Sequence, residues 1–206
     1  MTPARALDRG LSEFVLPMPP GARDKLLAYV ELLVKWNRTY NLTAIREPEK
    51  MVSQHLFDAL AVVPHLPLGR LADVGSGGGL PGVPIAIVQP ERRVTLNDSN
   101  QKKTAFLRQA TIELELANAE VHAGRAENWR PLERFAVVIT RGFAELAEFV
   151  ALCRHLVAPG GVLAAMKGVY PRDELARVPP SQRCDNVVRL QVPLLDAERH
   201  LVLCHV

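Results

Sequence analysis

Asp73, Gly75, Gly77 and Gly79 fall at every second position of the stretch 71–82, which a further glycine, Gly82, closes. A short apolar run that ends in an acid and breaks into glycines is a strand feeding a turn where bare backbone can approach a ligand. Two spacings overlap in it. Gly77-x-Gly79-x-x-Gly82 fits the dinucleotide fingerprint, while Asp73-x-Gly75-x-Gly77-x-Gly79 is the pattern of an S-adenosylmethionine (SAM) loop. A dinucleotide seats its pyrophosphate on free N–H groups at a helix N-terminus, where a neighbouring carboxylate repels it. SAM instead carries an ammonium and a sulfonium, which an acid attracts directly or through water. Pro81 and Pro84 also withdraw two N–H donors from this segment, a further mark against an anion cradle. The expected ligand is SAM, with Asp73, Gly75, Gly77 and Gly79 at its methionine end.

Other residues with chemical capacity lie where strands should end. Asp98 follows Gly75 by 23 residues and closes an apolar strand. A carboxylate there accepts both ribose hydroxyls of an adenosine, in SAM or NAD alike, and it equally suits an N-cap beside Ser99. Gly124-Arg125-Ala126-Glu127-Asn128 follows the next strand, so backbone groups at Ala126 and Glu127 should meet the adenine edge. Arg141, in Thr140-Arg141-Gly142-Phe143, and Lys167, before Gly168, add two cations on the edge where an acceptor belongs. Asn-Pro-Pro-Tyr and Asp-Pro-Pro-Tyr are absent after the fourth strand, which disfavours exocyclic amino acceptors. Pro-Cys is absent too, and Cys153 falls within a helix, so covalent attack on a pyrimidine ring is disfavoured. The acceptor therefore needs positioning rather than covalent activation.

Elements with two periodicities must hold these groups. Leu7, Leu11 and Phe14 indicate a first short helix over residues 4–15, and Leu26, Leu27, Val30, Leu33, Val34 and Trp36 a long amphipathic one over 22–40. Pro48 opens another helix that runs to Pro64. His55 and Asp58 share a face of it, and on spacing alone they read as a partly buried hydrogen-bonded pair. Trp36 reads as core. From Arg70 onward strands (71–74, 93–98, 119–122, 135–140 and 161–166) alternate with helices (83–88, 100–116 and 145–156). Strands 186–192 and 199–204 are joined by residues 193–198 alone, which favours an antiparallel hairpin. The expected architecture is α/β: a Rossmann-like, seven-stranded, mostly parallel sheet with an antiparallel last strand, as in class I methyltransferases. Residues 1–66 form a helical extension and 67–206 the SAM-binding domain.

Composition narrows the setting. The chain has 206 residues, 48% of them hydrophobic, with no apolar run long enough to span a bilayer and charges scattered through its start. A cytoplasmic protein without membrane association is expected, as a monomer. Cys153, Cys184 and Cys204 are odd in number and lack CxxC spacing, so reduced thiols are expected; the histidines are ungrouped, and no metal is expected. A net charge of +3 permits a polyanionic partner without requiring one. The cluster Arg92, Arg93, Lys102, Lys103 and Arg108 reads as a solvated face.

The loop, taken with Trp36-Asn37-Arg38-Thr39-Tyr40-Asn41-Leu42-Thr43, His55-Leu56-Phe57-Asp58, Leu96-Asn97-Asp98-Ser99, Arg141-Gly142-Phe143 and Glu198-Arg199-His200, resembles the bacterial glucose-inhibited division protein B family from about residue 20 onward. The resemblance implies a SAM-dependent 16S ribosomal RNA guanine-N7 methyltransferase, acting on the decoding-region loop at nucleotide 527. It implies 16S rRNA or the 30S subunit as partner. It implies that Gly75, Leu80, Ala126, Glu127 and Arg141 line the SAM site, with Asp98 on the ribose. Arg141 would also place the guanine through its O6 or a phosphate. Asn37, Tyr40, Asn41, His55, Asp58 and Lys167 would hold RNA, with Tyr40 or Phe143 as a stacking surface. Asn97 departs from the apolar residue usual before Asp98, and Leu203-Cys204-His205-Val206 stands where many relatives carry a basic tail, a departure that puts some tail-mediated RNA contact in doubt. The rivals are a small-molecule methyltransferase, an NAD-binding oxidoreductase and a SAM-binding regulatory module.

Overall fold

A computed structural model describes residues 1–206, the side chain of Arg183 excepted. The chain forms one sheet from β1 (Leu71–Val74), β2 (Val94–Asp98), β3 (Ala119–Ala123), β4 (Phe135–Arg141), β5 (Val157–Lys167), β6 (Arg183–Arg189) and β7 (His200–His205), in the order β3-β2-β1-β4-β5-β7-β6. The first five strands run parallel, and β7 runs against both of its neighbours, as the short connection before it predicts. β1 and β2 are buried at every position, their polar members Asp73, Thr95, Asn97 and Asp98 included. The strand order reverses at β1: the chain builds outward through β2 and β3, then returns to β4 on the other side. A crevice therefore opens beyond the carboxyl ends of β1 and β4. The glycine loop and Arg141 leave the sheet into it.

Helices cover both faces. α1 (Pro3–Glu13) is capped by the Thr2 hydroxyl, α2 (Ala22–Tyr40) ends at left-handed Asn41, and α3 (Pro48–Met51) passes through a π-helical turn, Val52–Phe57, into α4 (Asp58–Leu60). The single helix expected after Pro48 is thus broken by a wider turn, a feature that apolar spacing does not report. α5 (Gly82–Val88) and α6 (Gln101–Glu113) lie on the same face, so that Leu26, Leu33, Leu56 and Leu60 share one core with Val83, Leu96 and Phe106. Residues 1–66 therefore pack continuously onto the sheet. α7 (Leu146–Cys153) closes the opposite face, its Phe149 sharing a core with Ala72, Val74 and Val138, with the short, exposed α8 (Arg172–Arg177) beside it.

One expectation fails here. Cys184 and Cys204 are joined as a disulfide across the β6–β7 hairpin, leaving only Cys153 free and buried. β6 begins at Arg183 rather than 186, and the pairing of Arg183 with His205 sets the two cysteines side by side.

Candidate functional site: two abutting cavities beyond β1 and β4

The glycine loop is pinned from behind. Asp73 is fully buried, and its Oδ2 accepts from the Ser76 hydroxyl at 2.6 Å and the Gly82 N–H at 2.8 Å, tying the two ends of the loop together. Burial pushes this carboxyl up to about 6, against the pull of both hydrogen bonds. Asp73 thus stands behind the loop and shapes it, rather than meeting a ligand's cationic end as expected. The fully buried Tyr29 of α2 donates its hydroxyl to the Gly78 carbonyl, so the N-terminal helices also set the loop's position. Gly75 and Gly79 both have positive φ, +67° and +87°. A Cβ on Gly79 would lie 2.6 Å from Val83, so Gly79 turns inward, and Leu80 is buried in the core. Gly77 donates to Asp98 at 3.0 Å. Gly75 and Gly77 are the partly exposed residues among those expected in the loop; Gly75 lines the cavity, where a Cβ would lie 2.6 Å from the Phe143 ring.

A cavity of about 520 Å³ opens at that point, lined by Gly75, Asp98, Ala126 and Glu127 as expected, together with Lys103, Gly142, Phe143 and Leu152. Asp98 Oδ2 accepts from Gly77 and Oδ1 from the Asn100 N–H at 2.8 Å, with Lys103 Nζ 3.9 Å away. Asn100, not Asp98, caps α6. The carboxylate is held rigidly with lone pairs to spare for hydroxyl donors. Asn97 is buried, and its amide donates to the carbonyls of Gly124, at 2.9 Å, and His122, at 3.2 Å. A polar residue at that strand position thereby anchors the loop that carries Ala126. Volume, a fixed carboxylate, an apolar wall and a glycine whose side chain would displace Phe143 together fit a nucleoside cofactor.

A second cavity, of about 400 Å³, is lined by Gln54, His55, Asp58, Arg141, Lys167, Arg199 and His200 among others, and Gly142 lines both. The two therefore meet at that glycine. Asp58 is buried, its Oδ2 accepting from Arg141 Nη1 at 3.0 Å and its Oδ1 from Arg199 Nε at 2.9 Å. Arg141 also donates to the Gln54 carbonyl at 3.1 Å. His55 has Nε2 2.8 Å from the Thr43 hydroxyl and Nδ1 2.9 Å from the Gln54 carbonyl. Burial and the Arg141 charge push its imidazole down to about 4, so it is neutral at physiological pH. Both oxygens of the carboxylate and both nitrogens of the imidazole are engaged. The cavity presents guanidinium donors, and of its possible bases Asp58 and His55 are engaged at every acceptor, whereas His200 is held through Nδ1 alone, 2.8 Å from the Gly168 carbonyl.

Several expected residues stand elsewhere. Arg141 lines this second cavity and not the first, and Phe143 lines the first and not the second. Lys167 reaches the cavity, but its ammonium is tied to Glu174 at 2.6 Å and to the Ala144 carbonyl at 3.3 Å. Asn37 is buried and braces the segment 41–46, accepting from Thr43 N–H at 2.9 Å. Tyr40 lies against Trp36, centroids 5.2 Å apart, and Asn41 accepts from Arg46. Neither they nor Asn37 line either cavity. Gln54, Arg199 and His200 were missed. The signal for the last two was the antiparallel hairpin itself, because an antiparallel strand starts at the edge where parallel strands end.

Among the described residues no group of three or more His, Cys, Asp or Glu could hold a metal ion, and no helix is long and apolar enough to cross a membrane. Residues 22–202 match the family model described as GidB, rRNA small subunit methyltransferase G. The chain is similar to the ribosomal RNA small subunit methyltransferase G of Burkholderia multivorans, 52% identical over 96% of this chain and 90% of that one. Among solved structures it resembles a SAM-dependent methyltransferase from Aquifex aeolicus, with a TM-score of 0.59 at 19% identity over 76% of this chain and 92% of that one. It also resembles TrmN from Thermus thermophilus, with a TM-score of 0.55 at 19% identity over 72% and 48%. The sheet is that of the class I SAM methyltransferases.

Proposed function

The chain belongs to the rRNA small subunit methyltransferase G family, and from that premise we propose that it transfers the methyl group of SAM to N7 of a guanine in 16S rRNA, in the decoding-region loop at nucleotide 527. The observation that carries this reading is the cavity that meets the cofactor cavity at Gly142 and offers Arg141 and Arg199, held on Asp58, to an acceptor. Most oxygen and amine acceptors must lose a proton on methylation, and a base eases that loss. Guanine N7 has an in-plane lone pair and no proton, so a site that aligns it and excludes water suffices.

SAM supplies a methyl group already activated on a sulfonium. Gly75, Asp98, Ala126 and Glu127 are the residues that would hold it, with Phe143 closing the wall over Gly75. Asp73, Gly79 and Leu80 act from behind, by fixing the loop, and the partly exposed Gly77 steadies Asp98. Arg141 and Arg199 donate to the guanine O6 or to flanking phosphates, which selects guanine and leaves N7 free. Asp58 holds both guanidiniums in place, and neutral His55 fills the space beside Arg141 without adding a competing charge. Asn37 supports His55 at one remove through Thr43, and Lys167 braces the rim through Glu174. Free 16S rRNA and the 30S subunit present the same acceptor, and both are substrates to be tried.

The test is mass spectrometry of nucleosides from the 16S rRNA of a strain deleted for the gene, with and without complementation. Loss of 7-methylguanosine, restored by the wild-type protein and not by Arg141→Ala, is expected. Unchanged 7-methylguanosine in the deletion rejects the proposal, and full restoration by an Arg141→Ala protein with wild-type SAM affinity removes Arg141 from the mechanism.

A further inference from the structure

The loop that leaves β5 carries two bare apolar side chains at the functional edge of the sheet. Val169 is 72% exposed and Tyr170 50% exposed, directly after Lys167 and Gly168, which line the acceptor cavity. We propose that the Tyr170 ring is the platform on which an unpaired base of the RNA substrate stacks while the acceptor guanine occupies the cavity. This inference rests on the rRNA methyltransferase reading above.

Tyr170 is mounted on a fixed post. Its ring meets the buried imidazole of His200 edge-on, with centroids 5.7 Å apart and planes at 86°. His200 Nδ1 in turn lies 2.8 Å from the Gly168 carbonyl, and both residues line the cavity that holds Arg141 and Arg199. Whichever ring supplies the edge, this one contact leaves at least one face of the half-exposed Tyr170 ring for a planar partner. The Tyr170 carbonyl accepts from Arg172 N–H at 2.9 Å, and Pro171 stiffens the link between them. A ring held in this way loses little conformational freedom when a base settles on it.

The other two exposed aromatic side chains among the described residues are already engaged. Tyr40 lies against Trp36, and Phe143 covers Gly75 at the cofactor cavity. Single-stranded RNA is recognised by stacking of splayed bases on aromatic rings beside cations that take the phosphates, and Tyr170, mounted on His200 of the cavity that Arg141 and Arg199 also line, supplies the ring for that pair of cations.

The experiment measures methyl transfer to 30S subunits from a strain lacking the enzyme, using wild type, Tyr170→Ala, Tyr170→Phe and Tyr170→Trp, with SAM affinity followed by calorimetry as a check on folding. The expected result is a rise in KM for the subunit of about 5- to 150-fold in Tyr170→Ala, kcat and SAM affinity being retained, and values within about twofold of wild type for Phe and Trp. Titration of naked 16S rRNA should quench the emission of Tyr170→Trp beyond that of the wild-type protein. A wild-type KM in Tyr170→Ala, a loss confined to kcat, or no added quenching overturns the inference while leaving the methyltransferase reading standing. Absence of methyl transfer by the wild-type protein overturns both.

Discussion

Asp58→Ala perturbs the point where the acceptor cavity concentrates the most charge in the least water. The carboxylate is 3% exposed and accepts from Arg141 and from Arg199, so alanine leaves two guanidiniums facing each other without their common counter-ion. Each charge-assisted hydrogen bond contributes roughly 1.5–3 kcal/mol, and breaking a buried ion pair from one side costs about 3–5 kcal/mol. The guanidinium side chains are 24% and 25% exposed, so water recovers part of their solvation and the lower figure, about 3 kcal/mol, applies. In a chain of this size each kcal/mol lowers Tm by about 2–4 °C, which puts the expected loss at about 6–12 °C. Asp58→Asn keeps one accepting oxygen and turns a donor towards the other arginine, so its loss should be intermediate. Differential scanning calorimetry reads the stability, and a cycle with Arg199→Ala should show a coupling of about 0.5–3 kcal/mol. At temperatures where the variant remains folded, methyl transfer should fall by about tenfold or more, because the guanidiniums no longer hold a fixed geometry. An Asp58→Ala protein melting within about 2 °C of wild type, with no coupling to Arg199, would refute the electrostatic account of the cavity.

Two further outcomes follow from the glycine loop and the buried titratable groups. Gly75→Ala forces a left-handed residue costing about 1–2 kcal/mol and pushes the Phe143 ring from the cavity wall, so the SAM dissociation constant should rise by about tenfold or more, and calorimetry showing no change would contradict the placement. His55 is depressed from 6.5 to about 4, so the unfolded chain binds more protons in that window and stability falls on acidification through it; Asp73 is raised from 3.8 to about 6, so the folded chain binds more protons there and stability falls as pH rises. Each slope is at most about 1.4 kcal/mol per pH unit and the two oppose between roughly pH 4 and 6. His55→Gln should therefore add a fall in stability with rising pH, and Asp73→Asn a rise, in urea denaturation series; identical slopes in all three proteins would contradict both assignments.

The elements that bury a continuous apolar surface were legible in the sequence because periodicity reports burial directly. β1, β2 and α2 fall where 71–74, 93–98 and 22–40 place them. That Asp98, Ala126 and Glu127 line one cavity was legible because strand ends converge by rule in such a sheet. What was not legible depends on register and on long-range convergence. Cys184 meets Cys204 only because β6 starts three residues earlier than its apolar run. Arg199 meets Asp58 across 141 residues of chain. Asp73 looked like a ligand-facing acid, yet the direction of its side chain was set by Ser76 and Gly82, which hold it beneath the loop. Lys167 and Asn37 read as free polar groups, and each is consumed by an internal partner.

The central claim is methyl transfer to guanine N7 of 16S rRNA without a general base. Purified protein, methyl-labelled SAM and 30S subunits or 16S rRNA from a deletion strain test it most directly, with the product digested to nucleosides and the site mapped by cleavage at 7-methylguanosine. A single labelled 7-methylguanosine is expected, in the decoding-region loop of 16S rRNA, formed at a rate that His55→Gln does not abolish. Label in any other nucleoside, or in no RNA at all while SAM binds, would contradict it.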